Sequence, residues 1–158
     1  MQNRLTRRGF LDKTVSMGAV GVAAAGLCVC MLSGCIGKDR TPSIPDNCIE
    51  VKEDRLVVHL DRVEVLRRVG QAAKLKHPRG KTPIIVVHAA EANFIALSAL
   101  CTHRSRALEY HPKTRELRCI NFGHSRFGLD GIVITGPAKT ALRVFRTLLI
   151  DGKLEVFV

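Results

Sequence analysis

Residues 101–127 read CTHRSRALEYHPKTRELRCINFGHSRF. The stretch opens on Cys101 and His103, with one residue between them, and closes around Cys119 and His124, with four between them. Residues 107–119 place a polar Pro-Lys-Thr centre between two strand-like arms, which predicts a β-hairpin. Such a hairpin would bring two loops, each holding one cysteine and one histidine, side by side at one end of a sheet.

Outward from this stretch, the chain reads as short strands and turns. RLVVHL (55–60), TPIIVVHA (82–89) and NFIALSAL (93–100) are rich in β-branched or aromatic residues and are separated by Gly, Pro and charged segments. FRTLLIDGKLEVFV (145–158) places Asp151-Gly152, a strong two-residue turn signal, between apolar-rich arms. DRVEVLRRVGQAAKLKHPRG (61–80) fits the helical and the strand period only in part and is read as a strand followed by a basic loop. With no internal repeat and no long helical pattern beyond the leader, the expected fold class is all-β, in many small strands.

The amino terminus sets the compartment. Arg7 and Arg8 precede Phe10 and Leu11 in TRRGFLDKT (6–14), which resembles a bacterial twin-arginine export signal. Residues 15–34 carry no charge, so they suit the apolar region of a signal peptide or a minimal membrane span. Leu32, Ser33, Gly34 and Cys35 match a lipobox, where cleavage before the cysteine leaves it to carry lipid. The expected division is a signal peptide over 1–34, a tether over 35–54 and a domain over 55–158. The expected location is the extracytoplasmic side of a bacterial membrane, held by lipid on Cys35; a retained N-terminal transmembrane helix is the alternative.

Without residues 1–34, 124 residues remain, enough for one small domain. The formal charge is +11, and the leader holds Arg4, Arg7, Arg8 and Lys13 against Asp12, which leaves +8 for the rest. That balance suits an anionic membrane surface or an acidic protein partner. Nucleic acid is excluded as a partner because the chain has no Trp, one Tyr and no tight Lys/Arg block interleaved with aromatics.

Six cysteines do not make a disulfide framework here. Cys28 and Cys30 lie in the leader and Cys35 in the lipobox, so the domain keeps Cys48, Cys101 and Cys119, an odd number. Cys48 follows TPSIPDN in the expected tether and reads as a plain thiol, with an intermolecular bridge as the alternative. His59, His77, His88 and His111 have no partner at ligand spacing and read as structural or exposed. Cys101, His103, Cys119 and His124 are the candidate ligands: two thiolates and two imidazoles suit tetrahedral zinc, or a 2Fe-2S cluster with the cysteines on one iron and the histidines on the other.

These residues resemble a Rieske iron-sulfur domain. The family pattern is Cys-x-His, fifteen to seventeen residues, then Cys-x-x-His, and the first pair and the gap agree. HSRFGLDGIVITGPAKTALRVF (124–145) is similar to the run that follows in the family, including a Gly136-Pro137-Ala138 loop that would cover the cluster. The resemblance implies a small antiparallel β-sandwich with two cluster-binding loops, a 2Fe-2S cluster on Cys101, His103, Cys119 and His124, and electron transfer to a redox protein partner or a membrane oxidoreductase complex. It also implies an electron-transfer subunit in preference to a stand-alone enzyme. Two departures stand out. Phe122 occupies the position that strict spacing gives to the second histidine, so reaching His124 requires a bulge that Gly123 could make. Arg106 and Asn121 stand where some members carry a loop disulfide. Ser125 and Tyr110 are candidate hydrogen-bond donors toward the cluster. The alternative is a degenerate Rieske-like binding or structural module with zinc or no metal.

The lipobox reading has a direct test. Cys35→Ala is expected to block incorporation of labelled fatty acid and to leave an uncleaved precursor, and normal processing of that variant would refute lipid attachment at Cys35.

Overall fold

The computed structural model describes residues 39–77, 82–120 and 124–158. The leader, Cys35 and the expected bulge at 121–123 lie outside the described residues. Among those described there are twelve short strands and three single turns of 3-10 helix. The strands are β1 (Ile49–Val51), β2 (Arg55–His59), β3 (Ala72–Leu75), β4 (Ile84–Ala90), β5 (Asn93–Ser98), β6 (Leu108–His111), β7 (Glu116–Cys119), β8 (Arg126–Phe127), β9 (Val133–Thr135), β10 (Val144–Phe145), β11 (Thr147–Ile150) and β12 (Lys153–Phe157). They form three four-stranded sheets in the orders β1-β2-β12-β11, β10-β5-β4-β3 and β6-β7-β8-β9. Every pairing between these strands is antiparallel. The all-β expectation holds.

The sheet containing β4 and β5 has apolar cover on both faces. Side chains alternate along a strand, and Ile84 and Val86 enter one core with Leu56, Val58, Leu154 and Val156 of β2 and β12. Ile85 and Val87 enter a second core with Leu108, Leu117 and Phe127 of β6, β7 and β8. β5 divides in the same way, with Phe94 and Ala96 in the first core and Leu97 in the second. This double burial explains why residues 84–87 (IIVV) are an unbroken apolar run, whereas β12 alternates between buried and more exposed positions.

The expected hairpins form. β6 pairs with β7 from Leu108↔Cys119 to His111↔Glu116, and Arg115 closes their turn with a φ of 54° and an N–H···O bond of 2.8 Å to His111. Asp151 and Gly152, at φ 48° and 72°, turn β11 into β12. Positive φ at both central residues is the two-residue hairpin geometry that matches strand twist.

Two expectations are corrected. The segment after β2 is not a strand followed by a loop. Leu60–Arg62 and Glu64–Arg67 form 3-10 turns, and the strand, β3, comes afterwards. In a 3-10 turn, positions three apart share a side; Val63 and Leu66 are three apart and both are buried. The segment expected as a tether is packed from Asp39 onward. Ile44 and Cys48 belong to the first core, β1 pairs with β2, and Ser43 bridges Lys74 of β3. Lys74 also pairs with Asp39, and the Thr41 hydroxyl accepts the Tyr110 N–H at 2.8 Å. These residues are held to both the middle sheet and β6.

Ile85 is fully buried. Ile85→Ala is expected to cost about 2–5 kcal/mol, the usual range for truncating a buried aliphatic side chain, read as a lower midpoint in denaturant unfolding. A cost near zero would show that the second core does not depend on the middle sheet.

Candidate metal centre

Two loops begin where the strands of the second core end. After β5, an isolated bridge between Leu100 and Ala107 closes the neck of the first loop. Inside it, the Cys101 N–H donates to the Arg106 carbonyl at 2.7 Å and the Ser105 N–H donates to the Cys101 carbonyl at 2.8 Å. Ser105 adopts a left-handed φ of 51° to make this turn. The second loop leaves β7 at Cys119, whose N–H donates to the Ser125 carbonyl at 2.9 Å across its neck. The Ile120 N–H donates to the Ala107 carbonyl at 3.2 Å and joins the two loops. A left-handed residue was expected at Gly123, which is outside the described residues; His124 itself has a φ of 40°.

The four candidate ligands fall into two environments. Cys101 and Cys119 are 1% and 7% exposed, and both belong to the second core. His103 and His124 are exposed. No disulfide joins Cys48, Cys101 and Cys119. Among the described residues, no three His, Cys, Asp or Glu side chains are gathered as a metal-holding group. The structure therefore brings the two sulfurs to the necks of adjoining loops and leaves the two imidazoles toward solvent on the same loops. In donor type and in burial of the thiols the set fits a 2Fe-2S group, since thiolate ligands to iron suit a site shielded from water.

A third loop, 136–140, rests on both of the others. The Ala138 N–H donates to Ser125 Oγ at 3.1 Å, and Thr102 Oγ1 donates to the Thr140 carbonyl at 2.7 Å. Gly136 has a φ of 103°, and a Cβ there would lie 2.5 Å from Ser125 Cα and 2.9 Å from Ser125 N. Only glycine permits that approach. The Gly136-Pro137-Ala138 segment singled out in the sequence is thus a loop seated on the second candidate loop. Thr102 was not singled out there; its place between Cys101 and His103 was the one available signal.

The surrounding polar groups hold the frame. Arg126 grips Glu116 through two bonds of 2.9 and 2.6 Å, which ties β7 to β8 on either side of the second loop. Hydrogen bonding to Arg126, with a smaller contribution from Arg118, holds the Glu116 carboxyl below its ordinary pKa, and Glu116 raises that of Arg126. Ser125, expected as a donor, uses its oxygen to accept from Ala138 and is 1% exposed. Tyr110, expected in the same role, lies on β6 two residues toward the turn from Leu108, the partner of Cys119. Burial raises its pKa against the opposing influence of Arg115. Three of the four remaining histidines have structural surroundings, with His88 stacked on Phe94 at a ring-centroid distance of 4.3 Å, His111 meeting Glu109 at 2.7 Å and His77 buried, while His59 is half-buried at the end of β2.

Comparison with known proteins adds a family to this geometry. The model of the Rieske [2Fe-2S] domain matches residues 58–146. Among solved structures, the chain is similar to the plasma membrane Rieske protein PetC3 of the cyanobacterium Synechocystis PCC 6803, with 22% identity and a TM-score of 0.49 over 55% of this chain and 86% of that one. It is also similar to the ferredoxin of carbazole 1,9a-dioxygenase from Nocardioides aromaticivorans IC177, with 19% identity and a TM-score of 0.51 over 64% of this chain and 93% of that one. The second likeness is one of fold. Comparison with curated proteins finds no match.

The contact between Gly136 and Ser125 gives a prediction. Gly136→Ala is expected to destabilise the domain by about 1–3 kcal/mol through backbone strain and displacement of Ser125. Gly70→Ala shares a positive φ but meets open space, so its cost should be smaller. Equal thermal shifts for the two variants would remove the contact as the cause.

Proposed function

The chain belongs to the Rieske [2Fe-2S] domain family, and we propose that Cys101, His103, Cys119 and His124 hold its cluster on a lipid-tethered extracytoplasmic domain. A 2Fe-2S group is the family's cofactor and electron transfer its general function. The observation that carries the ligand assignment is the pairing of two buried cysteines in one apolar core with two exposed histidines on the same adjoining loops.

Bound there, a 2Fe-2S cluster supplies one reversibly reducible iron. Cys101 and Cys119, as thiolates, would hold the iron deeper in the second core. His103 and His124, neutral imidazoles at the surface, would hold the other, and the absence of ligand charge favours an added electron on that side. Ser125, Thr102 and the 136–140 loop fix the two ligand loops relative to each other. The tether reading draws support from the paired arginines and the Leu32-Ser33-Gly34-Cys35 sequence; among the described residues, no helix is long and apolar enough to cross a membrane. The partner would be a redox protein or a membrane oxidoreductase complex. The four-residue spacing between Cys119 and His124 favours one second reading, a Rieske fold holding zinc or no metal.

Freshly purified protein is expected to be coloured, to contain iron and acid-labile sulfide, and to give a Rieske-type electron paramagnetic resonance signal when reduced. His124→Ala should abolish that signal. A colourless protein containing zinc would establish the second reading, and an unchanged signal in His124→Ala would remove His124 from the ligand set.

A further inference from the structure

Segments 101–107, 119–120, 124–126 and 136–143, which surround the candidate centre, contain Arg104, Arg106, Arg126, Lys139 and Arg143 and no Asp or Glu. Arg126 is neutralised by Glu116. The other four are exposed, and the ion pairs among the described residues involve none of them. Arg143 is steadied by stacking its guanidinium 4.6 Å over the Phe145 ring. Many of the domain's acids are engaged elsewhere: Asp39 with Lys74, Asp54 and Glu155 with Arg55, and Glu109 with His111. Asp130, whose carboxylate accepts the Ile132 N–H at 2.9 Å, is an acid in the turn before β9. These segments therefore carry cations and no acid on the loops that also expose His103 and His124, whereas several cations outside the ion pairs elsewhere among the described residues, such as Arg67, Arg68, Lys113 and Lys153, stand within four residues of an Asp or Glu in the sequence.

We propose that this rim, centred on Arg104, Arg106, Lys139 and Arg143, docks an acidic one-electron carrier protein. The placement of electron exit beside the rim rests on the cluster assignment above; the charge segregation does not. On docking, one electron would pass between the reduced member of the pair and the oxidised one, with no bond made or broken and no proton moved. Complementary charge of this kind accelerates encounter by about 10- to 1000-fold and is screened by salt. A protein partner fits better than an anionic membrane surface because of where the described chain enters. Thr41 is bonded to Tyr110, toward the turn end of the β6–β7 hairpin, while Cys119 lies at the opposite end. A membrane tether leading into Asp39 would thus reach the domain away from the rim.

The test uses full-length protein reconstituted in neutral phosphatidylcholine vesicles, with an acidic plant-type [2Fe-2S] ferredoxin as the probe and binding measured by titration calorimetry. Binding is expected to weaken about 10-fold or more when salt rises from about 20 to about 200 mM. Arg104→Glu combined with Arg106→Glu should weaken binding about 10-fold or more at low salt and flatten its salt dependence. Lys52→Glu combined with Arg62→Glu makes the same change in net charge away from the loops and should alter Kd by less than about 3-fold. Equal weakening by the two double variants, or binding indifferent to salt, would overturn the proposal. If phosphatidylglycerol added to the vesicles displaces the ferredoxin from the unsubstituted protein but not from the Arg104→Glu, Arg106→Glu variant, the rim faces lipid and the proposal fails. Paramagnetic resonance spectra of the same samples judge the cluster separately. A missing Rieske signal with docking intact would count against the ligand assignment and leave the rim standing.

Discussion

Covering both faces of the middle sheet is the constraint on which the rest of the structure depends. Ile84 and Val86 cannot be buried without β2 and β12, and Ile85 and Val87 cannot be buried without β6, β7 and β8. Each outer sheet therefore has its place because the same strand pair exposes an apolar row to it. Fully burying an aliphatic side chain is worth about 1.5–3 kcal/mol, so the four β4 positions alone bind three sheets into one structure. Cys101 and Cys119 join the second core directly, which fixes the roots of both loops while His103 and His124 stay at the surface.

From those roots outward, packing gives way to hydrogen bonding. The loop necks are closed by backbone bonds, Cys101 to Arg106 and Cys119 to Ser125, and the third loop adds side-chain bonds through Ser125 and Thr102. Such bonds are directional, so they orient loops that a small core could not hold by volume alone. The close approach of Gly136 to the Ser125 backbone seats the third loop where the Ala138 N–H reaches Ser125 Oγ. The ion pair between Glu116 and Arg126 reinforces the strands from which the second loop springs.

The fold class and the hairpins were legible in the sequence because their signals are local: alternating or continuous apolar runs, the Pro-Lys-Thr turn and Asp151-Gly152. Residues 61–75 were not, because Val63, Val65 and Leu66 satisfy more than one period until tertiary contact chooses the 3-10 turn. The packing of residues 39–51 was hidden for another reason. Thr41, Ile44 and Cys48 sit in a Pro-containing polar stretch, and they find their partners Tyr110, Lys74 and Arg62 only through long-range contacts. At the candidate centre, the loop pairing could be read from the Cys/His spacing and the seated Gly136 loop from its motif. The contrast between buried sulfurs and exposed imidazoles, and the bond from Thr102 to Thr140, needed the assembled sheets.

The shared middle sheet also governs how the domain opens. An amide in β4 is bonded to β3 on one side and β5 on the other, and apolar cover lies above and below it. Peeling away either outer sheet would uncover one face without freeing those bonds. Their hydrogens should exchange with solvent only when the whole domain unfolds, whereas amides of the two candidate loops can exchange through local openings. Deuterium uptake would therefore divide the molecule by depth in the middle sheet, with Val86 and Val87 among the slowest positions on either side of a single boundary between two cores.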